Sequence, residues 1–229
     1  MKKILLILLI SLGLIGSVNS AWNDDHELAY SAFEDGDYQK AFEGFSTLAK
    51  TGDIDAQEWL AYMYYEGLGV TQDYNQAFNW HLKAANQDSQ YSQDSLGLLY
   101  YYGNGVAQDY KQAVSWFRKA ADQGFTDAQN NLGRIYKDGD AVTKDLKRAV
   151  SWFLKAAKKG DAEAQNNLGL MYENGTGVSQ DYKQAVSWYR LAANQGLAIS
   201  QSNLGVMYAE GKGVTQDYKQ AVRWYQLAA

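Results

Sequence analysis

The chain has 229 residues, of which 46% are hydrophobic, and it contains no cysteine and no proline. This length and composition allow one or two globular domains with a sizeable core, and the absence of cysteine excludes disulfides, thiolate metal sites and cysteine nucleophiles. The formal charge of −5 argues against a general nucleic-acid or anionic-membrane surface, since neither attracts a negatively charged partner.

The first twenty residues have the three-part composition of a secretory signal peptide. Two lysines precede an apolar run at residues 4–15, which as a helix would span about 18 Å and is too short for a hydrocarbon core of about 30 Å. Small residues then precede a predicted cleavage site between Ser20 and Ala21. We expect residues 1–20 to be removed and the mature protein to be periplasmic or secreted, free of the membrane. The alternative is a retained membrane anchor.

The rest of the chain repeats one motif every 36 residues. The spacing is visible in five tryptophans: Trp80, Trp116, Trp152, Trp188 and Trp224. We expect a degenerate first unit at residues 21–52 and five full units at residues 53–229. The last full unit ends without the polar capping helix that usually closes such an array.

Each unit predicts two antiparallel helices. In the fourth full unit the first helix is predicted from about Ala162 to Glu173, and the glycines after it favour its end. Asp181 is predicted to cap the second helix, with the Gln184 side chain returning a bond to the cap as in a capping box. Neither helix buries its apolar stripe alone, so neighbouring units are expected to stack, with the tryptophans in the core. The predicted fold class is all-α, an α-solenoid of antiparallel helix pairs.

The repeated positions resemble those of the Sel-one-like repeat family, 36-residue relatives of tetratricopeptide repeats. In the fourth full unit the matching residues are Ala164, Leu168-Gly169, Tyr172, Gly175-x-Gly177-Val178, Asp181, Ala185, Trp188 and Ala192-Ala193. The resemblance implies a right-handed superhelix that binds other proteins or peptides, and it implies no shared reaction. The departures from the pattern are Ala141 and Asp88 in place of glycines and Leu146 in place of a tyrosine. We expect them to affect local loop geometry and to leave the fold unchanged.

Candidate catalytic groups are scarce. The loop glycines follow a helix, whereas a phosphate-binding loop follows a strand, and the capping aspartates recur once per unit instead of converging. His26 is expected to be solvated and His81 to be a partly packed ring, and neither has a partner at metal-ligand spacing. We predict no catalytic residue, no metal and no cofactor. The alternative is a cell-wall or β-lactam-directed hydrolase, which would need a nucleophile beside a base.

Partner recognition is expected at positions that differ between units. On each first helix, the face opposite the leucine and tyrosine stripe is expected to line a concave groove, a placement implied by the resemblance to tetratricopeptide arrays. The candidate groove residues are Glu58, Tyr62, Tyr65, Tyr91, Asp94, Leu98, Tyr101, Tyr102, Asn130, Arg134, Asn166 and Leu170. Tyr62, Tyr65, Tyr101 and Tyr102 are predicted to form the anchor, because tyrosine offers a large and rigid contact area. The alternative is that the extra tyrosines cover neighbouring helices.

The sequence therefore predicts an exported, non-catalytic scaffold that binds an extended or helical protein segment in its groove. Asparagine side chains suit the main chain of an extended peptide, and a basic partner suits the acidic end of the groove. Nucleic acid is not an expected partner. A secreted effector that binds a host protein is a further alternative. The last unit is expected either to pair end to end with another chain or to mark a truncated open reading frame.

Overall fold

The structure, a computed structural model, describes residues 24–229, so the predicted signal peptide lies outside the described residues. These residues form two compact units, each of which is larger than one 36-residue repeat. The first unit ends at Gln87 and the second unit runs from Asp88 to Ala229, and the 36-residue segments are called repeats from here on. The first unit contains the helices α1 Asp24–Glu34, α2 Tyr38–Lys50, α3 Ile54–Glu66 and α4 Tyr74–Ala85. The second unit contains α5 Gln90–Tyr102, α6 Tyr110–Asp122, α7 Thr126–Asp138, α8 Leu146–Lys158, α9 Ala162–Asn174, α10 Tyr182–Asn194, α11 Ala198–Glu210 and α12 Tyr218–Ala228.

Within each unit every helix packs on the next one along the chain. All of the elements between Asp24 and Ala229 are helices, and none of them has the length and apolar character needed to cross a membrane. The prediction of an all-α solenoid built from helix pairs is confirmed.

An aspartate begins the second helix of each full repeat and also joins it to the first. The Asp181 carboxylate accepts from the N–H groups of Lys183 and Gln184 at 2.9 and 3.1 Å. Its own N–H donates to the Tyr172 carbonyl at 2.9 Å. The predicted hydrogen bond between the Gln184 side chain and the backbone N–H of Asp181 is wrong, because that N–H donates to the Tyr172 carbonyl of the first helix. The other full repeats have the same backbone bond, from Asp73 to Tyr64, Asp109 to Tyr100, Asp145 to Tyr136 and Asp217 to Tyr208.

The second loop glycine lies against the preceding repeat. A Cβ on Gly177 would lie 2.6 Å from the Leu146 carbonyl oxygen, and the φ angle of Gly177 is 74°. Ala141, which stands at this position in the third full repeat, does not have a positive φ, so its loop follows a different path, as predicted. Asp88 keeps the left-handed conformation of the glycine that it replaces, with a φ of 65°.

The core of a repeat is a ring packed directly on a glycine of the facing helix. Phe153 is fully buried, and a Cβ on Gly133 would lie 2.5 Å from that ring. The preceding residue, Trp152, lies at the edge of the core, with the Lys155 ammonium 3.8 Å from its ring centroid. Trp116 and Trp152 are buried, as predicted, but three other tryptophans are half-buried: Trp80, Trp188 and Trp224.

Both histidines are enclosed in the first unit. The prediction that His26 is solvated is wrong, because α1 begins at Asp24 and places His26 on its packed side. The His26 Nε2 atom lies 2.9 Å from the carboxylate of Asp53, which caps α3. His81 is also more deeply buried than predicted, and burial lowers its pKa to about 3, so the ring is neutral.

Glutamines form hydrogen bonds both between and within repeats on one side of the stack. The Gln165 side chain donates to the Ala157 carbonyl at 3.1 Å and accepts from Gln195 at 2.8 Å. The equivalent pairs are Gln87 to Gln57 at 3.0 Å and Gln123 to Gln93 at 2.9 Å. Lys159 takes the place of the donor in the third full repeat, and its ammonium donates to the Gly124 carbonyl instead. The Gln129 Oε1 atom is therefore buried without a hydrogen-bond partner among the described residues.

A second set of amides bonds neighbouring first helices in the second unit. The side-chain N–H groups donate at 3.0 Å from Asn131 to Asp94, Asn167 to Asn130 and Asn203 to Asn166. The three acceptors are nearly fully buried. Burial, together with the nearby Asp127, raises the pKa of Asp94 to about 8. Asp94 is thus mostly protonated at neutral pH.

Replacement of Lys159 by glutamine is expected to stabilise the protein. The new side chain restores the missing donor to Gln129, and satisfying a buried acceptor contributes about 1 kcal/mol. Thermal unfolding of Lys159→Gln should show a midpoint raised by a few degrees. Lys158→Gln, which removes an equivalent charge from the exposed end of the same helix, is the control. Equal midpoints for the two variants would contradict this reading.

Asp94→Asn is expected to stabilise the protein more as the pH rises. Between about pH 4 and pH 8 the unfolded chain releases a proton that folded Asp94 keeps, so the free energy of unfolding of the wild type falls through this window. Asparagine does not titrate, so the variant avoids this fall in the free energy of unfolding. The difference in free energy of unfolding between Asp94→Asn and the wild type should therefore be larger at about pH 9 than at about pH 5, by at least ~2 kcal/mol. Urea unfolding at both pH values measures this difference. The exposed Asp122→Asn is the control, and an advantage of Asp94→Asn that does not change with pH would refute the assignment.

Candidate functional site

The first helices of the second unit share one face that the stacking leaves uncovered. Residues at positions i, i+4, i+7 and i+11 of a helix lie along one face. We call this face the open stripe, and its members are Tyr91, Ser95, Leu98 and Tyr102 on α5; Asp127, Asn131, Arg134 and Asp138 on α7; Glu163, Asn167, Leu170 and Asn174 on α9; and Ile199, Asn203, Val206 and Glu210 on α11. All of these residues are exposed or half-buried, so each of them contributes accessible surface.

Five of the predicted groove residues lie on the open stripe. They are Tyr91, Leu98, Tyr102, Arg134 and Leu170. Tyr101 lies beside the stripe and is half-buried.

Four predicted polar residues do not face an open surface. Glu58, Asp94, Asn130 and Asn166 are buried, with exposed fractions of 4–8%. The last three are the hydrogen-bond acceptors between neighbouring first helices, so their side chains serve the stacking of repeats. The predicted face is off by one residue here, which is a rotation of about 100° around the helix.

Ser95, Asn131, Asn167 and Asn203 are the accessible residues that the sequence reasoning missed. Ser95, Asn131 and Asn167 each directly follow a buried residue that was predicted in the groove, and Asn203 follows the half-buried Ser202 at the same repeat position. The signal that identifies them is the spacing from Asp127 to Asn131 to Arg134, which is i, i+4, i+7 and matches one face of a helix.

The second unit has a shallow depression at the α5 end of the open stripe. Leu98, Tyr101 and Tyr102 form one wall, and the remaining lining residues are Phe117, Asn131, Arg134, Ile135 and Asp138. Its volume is about 30 Å³, which is space for about one or two water molecules and too little to enclose a metabolite. The depression suits a side chain of a partner that covers it from outside.

Tyr101 is held in a fixed position in the wall of this depression. Its hydroxyl donates to the Asp140 carboxylate at 3.3 Å, and its ring packs edge-on against Tyr110 and Tyr102 at 5.2 and 5.1 Å. Burial and the Asp140 charge raise the pKa of Tyr101, so the hydroxyl stays protonated. Tyr102 is 58% exposed, so its ring is accessible.

Carboxylates crowd the other side of the asparagines. Burial and the neighbouring Glu163 raise the pKa of Asp127. Burial, and to a smaller extent Asp127 and Glu163, raise the pKa of Asp161 to about 6. Over residues 24–229 no group of His, Asp and Glu side chains is arranged to hold a metal ion. The crowding therefore concentrates three carboxyl groups on this part of the surface.

The first unit has no open stripe of this kind. Trp59 takes the repeat position of Ser95 and Asn131 and is 1% exposed. Tyr62 packs on Trp59 with ring centroids 6.1 Å apart, and Tyr65 packs edge-on to Tyr74 at 5.0 Å. Both tyrosines are half-buried and cover neighbouring rings, which is the packing that the alternative interpretation describes.

Comparison with known proteins points to one family, both by sequence and by structure. The family model of the Sel1 repeat matches residues 54–89, 90–125, 126–161, 162–197 and 198–229. A Sel1 repeat protein from Oxalobacter formigenes is 37% identical, with a TM-score of 0.84 over 88% of this chain and 82% of that protein. A search of curated proteins gives no match.

Two further solved structures are similar. A protective antigen of uropathogenic Escherichia coli with an SLR fold is 38% identical, with a TM-score of 0.82 over 89% of this chain. This chain covers 44% of that antigen, which is less than half of its length. An immunity protein from Pseudomonas aeruginosa, 20% identical with a TM-score of 0.60 over 94% of this chain and 84% of that protein, shares the fold. Since the repeat matches run from residue 54 to residue 229, the chain belongs to the Sel1 repeat family.

Proposed function

We propose that the chain is a non-catalytic scaffold that binds another protein or peptide along the open stripe of its second unit. Sel1 repeats are a protein-interaction fold, which supports the general class of function. The observation that carries the proposal is the depression, because four predicted groove residues meet there from two neighbouring repeats: Leu98, Tyr101, Tyr102 and Arg134.

The chemistry of the depression suits an anchor. Tyrosine and arginine are enriched among residues that dominate binding energies, and a rigid tyrosine loses little conformational entropy when it is covered. Tyr101 is already fixed by Asp140 and Tyr110, so binding does not have to order it. A preformed wall of this kind favours a partner side chain inserted against Leu98 and Tyr102.

The hydrolase alternative finds less support. A hydrolytic site of the serine type needs a nucleophile beside an accessible base. His26 contacts Asp53 and is 3% exposed, while His81 is neutral in the core, so neither histidine is placed to serve as that base. The effector alternative uses the same surface and differs in where the protein is delivered.

We also propose export, on the evidence of the sequence. The basic start, the apolar run at residues 4–15 and the small residues before Ala21 support it. End-to-end self-association stays a prediction.

Truncation of Tyr102 is expected to weaken binding of peptides selected from a phage-displayed random library on the purified chain. Loss of an anchor of this type costs about 2 kcal/mol or more, which is about a 30-fold rise in Kd. Isothermal titration of selected peptides with Tyr102→Ala measures it. Tyr218→Ala removes another strongly exposed tyrosine of the second unit and is the matched control. Equal Kd values for the two variants would remove the depression from the proposal.

The export proposal predicts a shortened mature protein. When the full sequence is expressed in a bacterium with its own secretion system, the protein recovered from the periplasm or medium should begin at Ala21. Intact-mass spectrometry measures the new start. Recovery of the protein in the cytoplasm with residues 1–20 still attached would contradict export.

A further inference from the structure

We infer that the open stripe holds an extended, basic segment of a partner protein, with the segment's main chain bonded to Asn131, Asn167 and Asn203. This inference rests on the proposed function and deepens it, because it gives the partner's conformation and charge. Three features of the second unit carry it: the oriented asparagines, their spacing, and the different chemistry on the two sides of their line.

The three asparagines are oriented before any partner arrives. Each donates one N–H at 3.0 Å to the buried acceptor of the preceding repeat, and each is half-buried. An amide side chain has two N–H donors and a carbonyl acceptor. Among residues 24–229 these three side chains make no other hydrogen bond, so a donor and an acceptor remain on each. A main chain offers the complementary carbonyl and N–H groups.

The spacing of the asparagines fits an extended chain of the polyproline II type. The bond from Asn167 to Asn130 joins neighbouring first helices through two short side chains, which limits their separation to about 10 Å, the upper end of the range for packed helices. A polyproline II segment advances about 9 Å in one turn of three residues and leaves its main-chain groups unpaired. Every third residue of such a segment would therefore present the same face to the next asparagine. A β-strand would present alternating faces, because its side chains alternate at every residue.

The two sides of this line of asparagines differ in chemistry. Toward the start of the helices lie Asp127 and Glu163, each four residues before an asparagine on the same face. Toward the end of the helices lie Leu98, Leu170 and Val206, with Arg134 between the first two of these repeats. A segment running along the line would direct one row of side chains to the carboxylates and another row to the apolar side chains. Lysine or arginine suits the first row, since it relieves the crowding of like charges around Asp127.

A defined probe is the triplet Lys-Pro-Leu repeated three times and labelled with a fluorophore, a peptide of about nine residues with polyproline II character. Fluorescence anisotropy with the full chain should show saturable binding, and the equivalent Glu-Pro-Leu peptide should bind at least about tenfold more weakly. Binding of the two peptides with equal affinity would refute the basic partner.

The asparagines are tested one at a time. Asn167→Ala and Asn203→Ala should each raise the Kd of the Lys-Pro-Leu peptide about tenfold, since each removes up to two hydrogen bonds. Asn194→Ala, exposed at the end of α10, is the control and should leave the Kd unchanged. Because the alanine variants also lose a bond between repeats, Asn167→Ser provides a second test with the residue that α5 already has at Ser95. If all of these variants bind like Asn194→Ala, the line of asparagines is not the site.

The carboxylates are tested with isosteric variants. Asp127→Asn and Glu163→Gln should raise the Kd for the Lys-Pro-Leu peptide several-fold and reduce its dependence on salt, while Asp122→Asn should change neither.

Failure of this inference is distinguishable from failure of the proposed function. Phage-selected peptides that depend on Tyr102 but are insensitive to Asn167→Ser would leave the scaffold function in place and overturn the extended basic partner.

Discussion

The contact between a ring of the second helix and a glycine of the first helix determines the geometry of every full repeat in the second unit. Phe153 lies so close to Gly133 that a Cβ would not fit, and the same approach recurs for Phe117 at Gly97 and Tyr225 at Gly205. Such contact brings the two helix axes close together and sets their rotation. The bond from each capping aspartate to the preceding tyrosine carbonyl then fixes their register. Which residues remain accessible follows from these two constraints.

Polar bonds between repeats make the stack specific where the apolar core alone would allow sliding. The asparagine bonds between repeats and the glutamine pairs within repeats recur at the 36-residue interval, and each satisfies a buried acceptor whose loss of water would otherwise be costly. Two positions depart from this regularity, Lys159 and Asp94. Both are paired less well than their counterparts, since one leaves Gln129 without a partner and the other buries a carboxyl group. The second unit is therefore less stable at these two positions than it could be, and the residues at the equivalent positions of other repeats indicate the stabilising replacements.

The fold was predictable because the same helix-forming pattern recurs in every repeat. Trp116 or Asp181 taken alone indicates little, but five copies at one spacing indicate helix pairs that stack. The accessible face was predicted less well, because Asn130 and Asn131 are identical in sequence and their roles differ by a rotation of about 100°. Only the packing of the next helix decides which one is buried. His26 was misplaced for a related reason, since its contact with Asp53 crosses between helices and leaves no trace in local spacing.

The residues along the open stripe differ between repeats, which distinguishes the side chains that the fold requires from those that serve recognition. The position of Asp127 and Glu163 is occupied by Tyr91 in one repeat and by Ile199 in another, so the fold tolerates an aromatic, an aliphatic or an acidic side chain there. Burial, and then repulsion from Glu163 in the neighbouring repeat, raise the pKa of Asp127, which lowers stability at neutral pH. Residues that break a local rule without a structural gain are expected at functional sites. The asparagines beside these acids fit the same role, because each offers both a donor and an acceptor and they recur at regular intervals.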